Sequence, residues 1–174
     1  LFVIPAAEAL AGHAAGGGAL PAGDRPRPAV MARKPHLAFL AGLRHVGYPW
    51  EVSSYGELMR YAGEHGVGYV CLGALEIADV PGVARLAAAG TFPGTQRIYR
   101  GPQVSLLALP PGTLDPDRLQ ERWVRAQVPD AKSLETMPGS QLLEAAMPRA
   151  EGGNPEIAER ILLTALESPN RTPP

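Results

Sequence analysis

The chain has 174 residues, 45% of them hydrophobic and 19% charged, and its net charge is −1. That balance describes an ordinary globular protein, one medium domain or a small domain with an appendage, and excludes a disordered chain. Near-neutrality gives no reason to expect a nucleic-acid partner, and no apolar run reaches the ~18 residues that a membrane span requires.

In chain order, Pro5 suits the first turn of a helix, and "AAEALAGHAAGGG" reads as a short Ala-rich helix ended by Gly16, Gly17 and Gly18. Residues 19–28 are too rich in Pro and Gly for regular structure. "AVMA" is a first buried strand, "HLAFLAG" a short helix closed by Gly42, and "LRHVGYP" a second strand stopped by Pro49. Ser54 and Glu57 have the spacing of a capping box, in which a serine hydroxyl accepts from the glutamate N–H while the carboxylate reaches back. Behind them Tyr55, Leu58, Met59 and Ala62 make one apolar face, and Gly66 supplies a left-handed stop. "VGYVCLG" is a continuous apolar run, the signature of a central strand covered on both faces.

Pro81 opens a further helix that ends at Gly90, and "TQRIYRG" and "VSLLALP" flank "GPQ" as a hairpin. The rhythm predicts an α/β fold over 1–110: a three-layer, mostly parallel sheet closed by an antiparallel hairpin. "PPGT" is a break, and residues 111–174 read as a helical extension with a flexible tail. Asp115 and Pro116 start one helix with Leu119 and Trp123 on one face. "SQLLEAAM" is a short second helix. Asn154 and Pro155 start a last one with a stripe of Ile157, Ile161, Leu162 and Ala165.

The residues that could carry chemistry are few. Arg33, Lys34 and His36 follow the first strand, at the carboxyl edge where open α/β sheets bind ligands. Two readings stand: cations that solubilise a strand end, or a patch facing a lipid-linked phosphate or anionic lipid headgroups. Lys34 is one of only two lysines, with Lys132. His13, His36, His45 and His65 lack metal-ligand spacing, and the single Cys71 reads as packing within a strand, so neither metal nor cofactor is expected. His65 suits the negative end of a helix. "GHAAGGG" follows a helix instead of opening one, which fails the context test for a phosphate loop. No G-x-S-x-G surrounds any serine. Glu51, Glu57, Glu76 and Asp79 could supply a carboxylate pair, but Glu57 is explained by capping and the others are expected to face water. Trp50 has two readings, a partner-facing aromatic or the more common core or rim position, and Asn170–Thr172 matches a glycosylation triplet at the level of chance.

Three stretches together, "VMARKPHLAFLAG", "YPWEVSSYGELMRYAGEHGVGYVCLG" and "RIYRGPQVSLLAL", carry a resemblance. Their succession resembles the soluble segment that follows the membrane spans in bacterial glycosyltransferases of the dolichyl-phosphate-mannose–protein mannosyltransferase superfamily. It covers roughly residues 5 to 110, through fold-forming motifs of low to moderate specificity. The resemblance implies an extracytoplasmic, non-catalytic domain of an integral-membrane enzyme that transfers sugar from a polyprenyl-phosphate carrier. Its acidic catalytic residues would lie between N-terminal membrane helices, so none is carried over to this chain. A start at Leu1 in "LFVIP" reads as a piece cut from a longer protein, whose membrane portion would be the first partner. Two alternatives stay open: a free-standing, cytoplasmic α/β interaction module, and a small enzyme acting on a phosphorylated substrate through residues 33–36.

Overall fold

A computed structural model describes residues 3–16, 28–110, 115–151 and 155–167. The Gly17–Gly18 helix stop, the loop at 19–27, the break after Pro110, the Asn154 cap and the tail from 168 onward lie outside the described residues. The chain divides into two compact units, Leu1–Leu119 and Gln120–Pro174.

The first unit is α/β. Its elements are α1 (Val3–Ala15), β1 (Ala29–Met31), α2 (His36–Leu40), β2 (Arg44–Val46), α3 (Tyr55–Glu64), β3 (Val67–Gly73), α4 (Ala74–Asp79), α5 (Pro81–Ala88), β4 (Gln96–Arg100) and β5 (Val104–Ala108). The five strands form one open sheet in the order β2-β1-β3-β5-β4. The sheet is mixed: β1 pairs parallel with β2 and with β3, while β3–β5 and β4–β5 are antiparallel. A mostly parallel sheet was the expectation. The short turn forces β4 and β5 to be antiparallel, and it is β5, the returning arm, that docks beside β3, so a second antiparallel seam results.

Burial explains why these segments choose their elements. All three residues of β1 and six of the seven in β3 are buried, as a strand with neighbours on both edges requires. Val30, Ala32, Tyr69, Cys71, Leu106 and Ala108 point to one face of the sheet. There Ala6, Ala7 and Leu10 of α1 and Leu37 and Ala38 of α2 pack against them. The predicted stripe of α3 is buried in full: Tyr55, Leu58, Met59 and Ala62 are each at most 2% exposed.

Local signals act as the residue chemistry requires. The Ser54 hydroxyl accepts from the Glu57 N–H at 3.2 Å, but the Glu57 carboxylate returns to Ser53, not Ser54. It accepts from the Ser53 N–H at 2.8 Å and from its hydroxyl at 2.6 Å. Those bonds hold the Glu57 carboxyl below its ordinary range. Gly42, Gly66 and Gly90 follow α2, α3 and α5 with φ between +61° and +69°, where side chains other than glycine are strained.

The second unit is helical. It holds most of α6 (Pro116–Gln127), then α7 (Ala131–Thr136), α8 (Gly139–Glu151) and α9 (Pro155–Leu166). Asp115 caps α6 by accepting from the Arg118 N–H at 3.0 Å. Asp130 caps α7 by accepting from the Ser133 N–H at 2.9 Å and its hydroxyl at 2.7 Å, a start signal absent from the sequence-based expectation. Ile157, Ile161 and Ala165 of the expected α9 stripe are buried. Leu162 is not, and Ala158 takes its place, because the buried face runs i, i+4, i+8 from Ile157.

Candidate functional site

The chain leaves β1 toward β2 on one side and reaches β3 on the other, so the loops after β1 and β3 part at their carboxyl ends. Such a switch point opens a crevice in an α/β sheet. The structure has one there, of about 170 Å³, within the α/β unit. Lys34 and His36 line it from the loop after β1, and Gly73, Leu75 and Glu76 line it from the end of β3 and the start of α4. Val3 of α1 adds an apolar wall, and Cys71 reaches the space from β3. A mainly apolar space of ~150 Å³ holds a benzene-sized group. The crevice therefore suits one small apolar segment or headgroup rather than a whole drug-sized ligand.

The three cations singled out in the sequence part company. The Arg33 guanidinium lies 2.6 Å from Asp79 Oδ2, and its backbone N–H donates to Glu76 Oε1 at 3.2 Å. Arg33 thus ties the loop after β1 to α4, through a half-exposed ion pair of modest strength. Lys34 and His36 remain exposed at the crevice mouth, and neither enters an ion pair among the described residues.

Glu76 overturns the expectation that it faces water, since it is 6% exposed and is the one buried charged residue among the described residues. A buried carboxylate needs partners to offset its lost hydration. Here it has the Arg33 N–H and the Cys71 thiol. Burial first, then the charge of Glu76 and its hydrogen bond, push the Cys71 thiol far above its ordinary value, so the sulfur is held as a neutral donor. Tyr48 donates its hydroxyl to the Cys71 carbonyl, and burial together with the same two neighbours raises its phenol as well. Gly73 leaves room for this arrangement: a Cβ there would sit 2.7 Å from Glu76 Oε2. The floor of the crevice is a fixed polar cluster that braces the carboxyl end of β3.

The other residues considered do not converge on the crevice. His13 Nδ1 lies 3.2 Å from the Tyr69 hydroxyl, His45 Nε2 2.8 Å from the Ala32 carbonyl oxygen, and His65 Nδ1 2.9 Å from the Tyr61 carbonyl oxygen at the end of α3. No group of three or more possible metal ligands occurs among the described residues. Trp50 is 81% exposed, not packed as expected, because it lies in the irregular segment between β2 and α3. A larger groove of about 370 Å³ on the helical unit sets three glutamates against Arg125 and Arg160, with Arg125 already 3.1 Å from Glu121.

No family model matches the chain, and no curated protein or solved structure matches it either. Among the described residues no helix is long and apolar enough to cross a membrane.

Proposed function

We propose that this chain is the non-catalytic extracytoplasmic domain of a polytopic membrane glycosyltransferase of the dolichyl-phosphate-mannose–protein mannosyltransferase superfamily. In this reading the membrane portion of the same polypeptide transfers sugar from a polyprenyl-phosphate carrier. The α/β unit is taken as three-layered, with the β4–β5 hairpin closing the sheet, and its crevice engages the lipid-linked phosphate. One observation carries the reading: at the switch point, two cationic or proton-bearing side chains, Lys34 and His36, stand at the mouth of a small apolar space. A phosphate meets Lys34 and His36 while the first carbons of its chain meet Val3 and Leu75. Glu76 and Asp79, the nearby carboxylates, are held in contacts that brace the fold. That arrangement favours binding over acid–base work.

The test is calorimetric titration of the 174-residue chain with farnesyl phosphate, a short soluble prenyl phosphate, beside inorganic phosphate. Farnesyl phosphate is expected to bind, and Lys34→Ala/His36→Ala or the crevice-filling Ala74→Phe to weaken it at least tenfold. Sequencing the gene upstream of the Leu1 codon should show about ten or more apolar spans of ~20 residues. Equal binding of inorganic phosphate would move the reading toward an enzyme of phosphorylated substrates. A start codon just before Leu1 would overturn the glycosyltransferase assignment.

A further inference from the structure

Beside the crevice lies a surface that the lipid-phosphate reading does not use. On α2, His36, Phe39 and Leu40 stand at i, i+3 and i+4 and share one exposed face, opposite the buried Leu37 and Ala38. Phe39 is 83% exposed and Leu40 54%, in a chain whose three phenylalanines could all have been spent on the core. The flanking sequence is one-sided in charge. Residues 33–45, "RKPHLAFLAGLRH", hold Arg33, Lys34 and Arg44 and no acidic residue, although the whole chain has a net charge of −1. Arg33 is matched by Asp79 and Arg44 donates to the His65 carbonyl at the end of α3, while Lys34 has no carboxylate partner among the described residues.

We propose that the exposed face of α2 docks on an anionic lipid bilayer, with Phe39 and Leu40 entering the headgroup–acyl boundary and Lys34 and His36 meeting lipid phosphates. An exposed aromatic and aliphatic pair inside a run of cations without acids is the chemistry of interfacial membrane contact. A five-residue helix is too short to offer the multi-turn stripe that a partner helix would need, whereas a bilayer needs only a few inserted side chains. The inference shares Lys34 and His36 with the proposed function and rests on it only for a bilayer being close at hand. Phe39 and Leu40 do not line the crevice, so the two are separable.

The experiment is co-sedimentation of the 174-residue chain with vesicles of phosphatidylcholine alone and with 30% phosphatidylglycerol added. Wild-type chain should bind the anionic vesicles more tightly, and 0.5 M salt should remove the difference. Lys34→Ala should weaken anionic binding about fivefold, the effect of one cation near the surface. Phe39→Ser/Leu40→Ser should weaken binding to both vesicle types at least about tenfold, while Leu143→Ser on α8, an exposed leucine outside this face, should change nothing. Circular dichroism of each variant checks that it is folded. Equal binding to neutral and anionic vesicles, no binding at all, or wild-type binding by Phe39→Ser/Leu40→Ser would overturn the proposal. Farnesyl phosphate titrations of that double variant separate the readings. Retained titration with lost vesicle binding upholds both, and lost titration by Ala74→Phe with intact vesicle binding leaves the membrane face standing whatever the crevice does.

Discussion

The Glu76–Cys71 contact has a consequence for reactivity. A thiol raised by burial and by a neighbouring carboxylate has almost no thiolate at pH 8, and the thiolate is the nucleophile. Native chain should therefore react with iodoacetamide far more slowly than a free cysteine. Glu76→Gln removes the charge while keeping the shape, so it should lower the thiol value and speed alkylation several-fold between pH 8 and 9. The rate of carbamidomethylation by mass spectrometry, with a thermal melt to confirm folding, checks this; an unchanged rate would mean that burial alone silences Cys71. The same residue shows how sequence reading can miss a group. Nothing in "GALEIAD" distinguishes a carboxylate facing solvent from one turned under its own helix, because the distinction depends on the Arg33 N–H, 43 positions away.

Among the elements, those whose instructions are local were legible. α3 has its serine cap, its four-residue apolar face and its closing glycine all within a short stretch, Ser54 to Gly66, and the structure uses each of them. α4 was missed because it starts directly after β3 with no break in the apolar run, and Gly73 offers no side-chain cap. The α5 contact was equally illegible. Gly82 lies so close to Val52 that a Cβ there would overlap its carbonyl oxygen, and Arg85 donates to that same oxygen at 3.0 Å. Gly82→Ala is helix-favouring by propensity, by about 1 kcal/mol, yet it should destabilise the α/β unit by about 1–3 kcal/mol, since backbone cannot yield as a side chain can. Urea denaturation of this variant measures the sign; stabilisation would show that α5 shifts freely.

For the molecule as a whole, the two tryptophans are natural reporters of the two units. Trp50 belongs to the α/β unit and is 81% exposed, whereas Trp123 belongs to the helical unit and is fully buried. Acrylamide should quench the emission in two components. Trp50→Phe should leave a single blue-shifted, quench-resistant one, and Trp123→Phe a red-shifted, readily quenched one. Equal quenching in the two variants would contradict the burial of Trp123.

Sequence by itself determined the α/β class, the helices among the described residues after Pro110, the hairpin, and the placing of Lys34 and His36 after the first strand. Each of these depends on periodicity, caps and turn residues that act within a few positions of themselves. Only the tertiary structure decided that β5 lies beside β3, that the sheet is mixed, that Arg33 is drawn to Asp79 while Lys34 and His36 line a crevice, and that Glu76 is buried against Cys71. Those outcomes depend on strand order and on contacts between residues far apart in the chain, which no local pattern encodes.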